Sequence, residues 1–182
     1  MNPFKGELVR LAPINKDSIP TYLSWFRDYE VQRWVLSVMP LTAEAETAWY
    51  DETVESKNVF PFEIHTLEDD HLIGSCSIFD IDTRNRSAEL GIVIGEKDYW
   101  GKGYGSDAVR TLLNFAFGEV NLNRVYLRVF AYNQRAIRSY KKCGFQHEGT
   151  ARQAQFREGR YHDVHLMAIL FEEWQRLTAS GA

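Results

Sequence analysis

The sequence predicts an α+β domain in which one mixed, largely antiparallel sheet is flanked by helices. Three observations lead there. Between Val59 and Gly95 three apolar runs follow one another with only short polar turns between them, the pattern of an antiparallel meander. From Ser87 to Ala131 the period changes from strand to helix and back, which is a βαβ crossover and makes its two strands parallel. At the first turn of that crossover stands Tyr99-Trp100-Gly101-Lys102-Gly103-Tyr104-Gly105-Ser106, with glycines at alternate positions leading into an amphipathic helix.

In chain order, Glu7 to Ile14 reads as a strand carrying Leu8, Leu11 and Ile14. Ile19, Tyr22, Leu23 and Phe26 recur at i, i+3, i+4 and i+7, the core-facing stripe of a helix whose first turn suits Pro20. Trp25 to Pro40 is aromatic and irregular, with Trp25, Tyr29 and Trp34 interleaved among Arg27, Asp28, Glu30 and Arg33. That mixture suits either a pocket wall for a polar ligand with an apolar stem or a helix-loop-helix sealed by amphipathic rings. Thr42 caps a second helix reaching about Ser56, with Ala45, Ala48 and Trp49 expected inward.

Val59–His65 and Leu72–Ile81 are strands joined across Glu68-Asp69-Asp70. In Ser87–Gly95 the faces alternate, Ala88, Leu90, Ile92 and Ile94 against Glu89, Gly91, Val93 and Gly95. Val109, Leu112, Leu113, Ala116 and Phe117 stripe the crossover helix, with Gly118 expected as its C-cap. Arg124 to Ala131 alternates again as a strand. Asn133 caps a short helix with Ala136, Ile137 and Tyr140 inward, closed by Gly144. Phe145–Ala151 and Asp163–Leu170 are the last strands, joined around Glu158-Gly159-Arg160, and Phe171 to Leu177 adds a short helix.

Length and composition narrow the function classes. The 182 residues fit one domain spanning residues 1–182, with 45% hydrophobic and 25% charged residues. No basic segment precedes an apolar run at the start, and no apolar stretch approaches the ~20 residues of a membrane span, so a cytoplasmic address without membrane partners is expected. Cys76 and Cys143 form no CxxC pair and read as buried thiols. The net charge of -4 comes without a basic cluster, which argues against nucleic acid and slightly favours a cationic acceptor. His65, His147, His162 and His165 show no metal-ligand spacing, and no metal is expected.

Glycines at the mouth of a helix can wrap a diphosphate. The backbone approaches the anion closely there, and the unpaired N–H groups of the first turn point at it. Spacing sorts the candidate ligands. A Walker A loop needs four residues between its first Gly and its Gly-Lys-Ser/Thr end; here five separate Gly95 from Gly101, and Gly103 takes the place of the hydroxyl. A dinucleotide fingerprint lacks its third Gly and, at Ala131-Tyr132-Asn133, its acid.

The third candidate is an acyl-coenzyme A site, and it rests on a resemblance. Gly103-Tyr104-Gly105, with Trp100 three residues earlier, resembles the GxG/A part of the pyrophosphate loop of the GNAT acetyltransferase superfamily. Asn133, Ala136, Tyr140 and Gly144-Phe145 resemble that family's second signature. Trp25 to Trp34, Glu89 and Tyr161-His162-Asp163-Val164 look like the branch containing ribosomal-protein N-terminal acetyltransferases and spermidine acetyltransferases. The resemblance implies the acyl-CoA N-acyltransferase fold, acetyl-CoA as cosubstrate, and transfer of acetyl to a primary amine. A protein N-terminal α-amine is the first acceptor it suggests. A polyamine or aminoglycoside is the alternative, and a non-catalytic acyl-CoA-binding module is the reading from another class. A homodimer is an expectation of the same kind.

The resemblance also distributes roles. Trp100, Gly101, Lys102, Gly103, Tyr104, Gly105 and Ser106 would hold the coenzyme, with Ile92, Val93 and Ile94 of the preceding strand and Asn133 and Ala136 of the later helix. Family members often carry Gln or Arg where this chain has Trp100, so backbone N–H groups and Lys102 are expected to meet the phosphates. Oxyanion donors are expected at a bulge about Val93 to Gly95. Glu89 is the candidate base, directly or through water; it also reads as a solvent-facing strand residue. Tyr140 is the candidate acid toward the thiolate, or an aromatic on the core stripe. Trp34, Asp80 and Tyr161 are the candidate acceptor contacts, Asp80 reading also as a turn residue.

Overall fold

The computed structural model describes residues 2–35 and 41–179. The elements run β1 (Val9–Pro13), α1 (Ile19–Arg27), α2 (Tyr29–Gln32), α3 (Ala43–Glu55), β2 (Val59–Thr66), β3 (Leu72–Asp82), β4 (Ser87–Ile94) and α4 (Tyr104–Gly118). Then follow β5 (Arg124–Phe130), α5 (Gln134–Lys142), β6 (Gln146–Arg157), β7 (Arg160–Leu170) and α6 (Phe171–Ala179). One seven-stranded sheet has the order β1-β2-β3-β4-β5-β7-β6. Among the described strands only β4 and β5 pair in parallel, as the crossover requires. The expected segment Trp25 to Pro40 resolves into the end of α1, the short α2 and a turn through Val35; its residues 36–40 lie outside the described part.

The parallel pair is short. Its register stops at Glu89↔Tyr126, while β3 stays paired with β4 as far as Gly74↔Ile94. The β5-facing backbone groups of Leu90 to Ile94 therefore have no strand partner, and the sheet opens into a cleft at its middle. α4 closes one face over a core of Val109, Leu112, Leu113 and Ala116 against Ile64, Ile78 and Leu127. A second cluster, Ile19, Tyr22, Leu23, Trp25 and Val31, packs α1 and α2 at the mouth of the cleft.

Three sequence expectations are corrected. On α3 the buried residues are Glu46 and Thr53, whereas Ala45 and Ala48 are exposed and Trp49 is 43% exposed. α3 packs mainly on α1 and is tied at its outer side by an ion pair from Lys16 to Asp51 at 2.7 Å, so its few apolar residues do not alone set its orientation. Gly118 ends α4 still helical, and the chain turns at Asn121, whose φ is 61°. β6 and β7 each run several residues further than the apolar pattern suggested, carried by hairpin pairing at Phe156↔Tyr161.

Asp107 in the first turn of α4 ties the helix to β1. It is 2% exposed, and its carboxylate accepts from the backbone N–H groups of Glu7, Leu8 and Val9 at 3.2, 2.8 and 3.0 Å. Replacing it with Asn removes the charge and turns one oxygen into a donor facing donors. Asp107→Asn is expected to destabilise the fold by about 1–3 kcal/mol. Urea denaturation with an unchanged m-value would measure it, and an unchanged midpoint would refute it.

Candidate active site

The glycine stretch folds as its composition requires. Gly101 and Gly103 take φ of 74° and 97°, the left-handed region, and Gly103 is the N-cap of α4. The first helical bond runs from Asp107 N to Gly103 O at 3.0 Å, leaving the N–H groups of Tyr104, Gly105 and Ser106 outside the helical ladder. A Cβ built on Gly101 would meet nothing within 4 Å, which leaves the loop's outer side open to a ligand.

The strand end before the loop is bent and braced. Gly95 N and Glu96 N both donate to Ile73 O, at 2.9 and 3.1 Å, the two-on-one pattern of a β-bulge. The expected bulge thus lies at Gly95–Glu96, not at Val93, where the β3–β4 register runs without a shift. Trp25 lies directly on Gly95, where a Cβ would come within 2.0 Å of the ring, and its Nε1 donates to Glu96 at 2.7 Å. Lys97 bridges to Asp28 and Glu30 at 2.7 and 2.8 Å, so the α1–α2 junction is tied to the loop's entrance.

A cavity of about 880 Å³ occupies the cleft between β4 and β5 and extends under α1 and α3. Glu89, Ile92, Val93 and Ile94 line it from β4, and Trp100, Gly101, Gly103, Gly105 and Ser106 from the loop. Asn133, Ala136 and Tyr140 line it from α5, and Trp34 from the turn after α2. Lys102, Tyr104, Asp80 and Tyr161 do not line it. Lys102 is exposed. Tyr104 packs edge-on against Tyr99, ring centroids 4.9 Å apart. Asp80 sits exposed at φ 51°, where the β3–β4 register shifts, and Tyr161 is 64% exposed against Phe156.

α5 brings positive charge to the cavity wall, while Lys102 stands outside it. Arg135, Arg138 and Lys142, spaced three and four apart, all line the cavity. Arg135 lies 3.9 Å over the Trp100 ring and 5.6 Å from that of Trp34, and Trp100 is held by a 2.7 Å bond from its Nε1 to Ile94 O. The indole at position 100 is therefore a platform for a guanidinium. The signal in the sequence was the basic stripe after Asn133, which a count of net charge hides. The glycine backbone together with this stripe fits the diphosphate of coenzyme A.

Glu89 is 5% exposed, and its Oε1 accepts from Arg128 Nε at 2.8 Å. It is a buried, oriented carboxylate on the cavity wall, not a solvent-facing strand residue. Asn133 Oδ1 accepts from Ala136 N at 3.2 Å, so it caps α5 while lining the cavity. Burial pushes the Tyr140 phenol well above its ordinary value, which keeps it a proton donor across the neutral range. Burial also raises both cysteine thiols, Cys143 to about 11. Cys76 lines the cavity as a neutral thiol, unsuited to relay an acyl group.

Glu46 was missed. It is 6% exposed, lines the cavity from α3, and burial raises its carboxyl pKa. Among the described residues, no group of three or more His, Cys, Asp or Glu side chains is placed to hold a metal, and no helix is long and apolar enough to cross a membrane.

A glycine-lined helix mouth opening into a splayed parallel pair, with Glu89 and Tyr140 lining the same cavity, is the arrangement an acyl-coenzyme A-dependent transferase requires. The sequence profile of the acetyltransferase (GNAT) domain matches residues 9–146, and the chain belongs to that family, whose members use acetyl-CoA as acetyl donor. A spermidine N(1)-acetyltransferase of Vibrio cholerae is 33% identical over 67% of this chain and 78% of its own length. The provisionally named ribosomal N-acetyltransferase YdaF of Bacillus subtilis is 35% identical over 62% of this chain and 61% of its own. The match thus spans less than two thirds of the length of some curated relatives. The crystal structure of the V. cholerae spermidine N-acetyltransferase with CoA and spermine superposes with a TM-score of 0.85. It is 24% identical and covers 92% of this chain and 98% of that one, which establishes a common fold.

Proposed function

We propose that the chain transfers acetyl from acetyl-CoA directly to a primary amine of an alkyl cation of the polyamine type. The carrying observation is the charge on the acceptor side of the cavity. Its acidic side chains there are the carboxylates Glu46 and Glu89, Tyr22 and Cys76 being held neutral by burial, and the guanidinium nearby, Arg128, is already paired with Glu89. Similarity to spermidine acetyltransferases supports the same class. The second reading, a protein N-terminal α-amine, draws on Trp34: its Nε1 is a buried donor without a partner among the described residues, and a peptide carbonyl could accept from it where a polyamine could not.

In this mechanism Glu89 takes a proton from the acceptor ammonium, directly or through water, and the freed nitrogen lone pair attacks the thioester carbonyl. Gly95 N and Glu96 N are taken by Ile73 O, so the β5-facing N–H groups of β4 beyond Glu89, which have no strand partner, are the ones left to meet the developing negative charge. The carbon–sulfur bond breaks, the electron pair leaves on sulfur, Tyr140 supplies its proton, and the second proton released by the acylated nitrogen passes through water to restore the phenol. A thiol with an ordinary pKa near ~8.5 leaves fairly well unaided. Tyr140→Phe is therefore expected to lower kcat roughly tenfold with little change in KM; loss of all turnover, or none, would remove Tyr140 from this role.

Thiol release measured with spermidine, an aminoglycoside and an N-terminal peptide tests the acceptor. Preferential turnover of spermidine is expected. Turnover of the peptide alone selects the second reading, and tight acetyl-CoA binding without turnover on any amine overturns both.

A further inference from the structure

Beyond Glu89 the cavity runs to a wall built by the end of β1, by α1 and by α3, where Ile14, Tyr22, Phe26, Leu41, Ala45 and Trp49 line it. This wall is apolar with one charged group, Glu46. The Tyr22 hydroxyl beside it is already used, donating to Glu63 at 2.6 Å.

The two buried carboxylates of this region are opposites. Glu63, 4% exposed, accepts from the Tyr22 hydroxyl and from Asn15 N at 3.1 Å, and pairs with His65 at 2.8 Å. Glu46 is 6% exposed, and desolvation is the only influence on its carboxyl, with no hydrogen bond or ion pair to it among the described residues. A buried carboxylate without a partner is unfavourable in the fold on its own. Glu46 opens into the cavity, so a cation entering there would complete it.

The apolar surround selects the kind of cation. An inorganic ion keeps its water, whereas an alkyl chain buries its methylenes on Ile14, Phe26 and Leu41 and presents one ammonium. The nitrogen that reacts must lose its proton, and Glu89 is the base assigned to it. A second, unreactive ammonium stays charged and needs a permanent counter-charge. We propose that Glu46 is an acceptor-binding residue that takes this second cationic group, the ammonium remote from the nitrogen that is acetylated. This rests on the amine-acetylation reading above, and it makes Glu46 the residue that distinguishes diamines and polyamines from monoamines.

The test is calorimetric titration of the full chain with spermidine and with hexylamine, wild type against Glu46→Gln, followed by initial rates. Glu46→Gln is expected to weaken spermidine binding roughly 10- to 100-fold, through KM rather than kcat, and to leave hexylamine unchanged. Glu46→Met, which suits the apolar wall, should keep or raise the melting temperature and abolish the stabilisation that spermidine gives the wild type. A purely structural Glu46 would instead lower it. Equal spermidine affinity in wild type and Glu46→Gln, an equal loss for hexylamine, or no spermidine binding by the wild type would each overturn the proposal. Spermidine binding that depends on Glu46 without turnover of any amine would sink the acetylation reading and leave the cation site standing.

Discussion

Gly103→Val is expected to weaken coenzyme A binding by about two orders of magnitude while the protein still folds. The residue caps α4 at φ 97°, and a β-branched side chain there is strained by more than the ~1–2 kcal/mol usual for an L-residue in the left-handed region. Space is not the obstacle, since a Cβ would meet only Leu8 Cδ1 at 3.4 Å. The backbone would relax toward negative φ and re-aim the N–H groups that a diphosphate needs, each charge-assisted bond contributing ~1.5–3 kcal/mol. Together these exceed the ~2.7 kcal/mol that a hundredfold loss represents. Calorimetry with coenzyme A, beside a thermal melt, measures both halves; affinity within threefold of the wild type would disprove the loop assignment.

The second large effect is Glu89→Gln. The amide keeps the shape and one acceptor for Arg128, whose side chain is 44% exposed and stays hydrated, so the fold should hold. It cannot take a proton. An alkylamine of pKa ~10.4 is neutral about once in 2,500 molecules at pH 7, and an α-amine near ~7.8 about once in seven. Loss of the base should therefore lower kcat/KM by about 10²- to 10⁴-fold for spermidine and less for a peptide N-terminus. The deficit should shrink as rising pH supplies free amine. A deficit that is the same at every pH and for both amines would reduce Glu89 to a tether for Arg128.

These two residues show what kind of feature a sequence displays. Gly103 is legible because its task is local: a helix mouth at positive φ, set by the glycine itself and the next four residues. The Thr42 and Asn133 caps are local in the same way, each bonding a backbone N–H three residues on. Glu89 is visible as a strand residue, but its partner Arg128 lies on β5 and is brought alongside only by the crossover. On α3, polar residues fall on both faces, and a helical pattern puts Ala45 and Trp49 inward whereas the structure buries Glu46 and Thr53. The guanidinium stacked on Trp100 is not legible locally, because Arg135 lies on α5.

The sequence by itself determined the order of strands and helices, the parallel crossover, the glycine mouth of α4 and the cap of α5. Each depends on backbone preferences and neighbours within a turn or two. The tertiary structure alone decided where β4 parts from β5, how Gly95 and Glu96 bend over Ile73, and which charges meet in the cleft. Those outcomes depend on contacts between segments far apart in the chain. Packing of α1 and α3 over an open sheet buries Glu46 without a partner, and a helical pattern carries no record of that neighbour's shape.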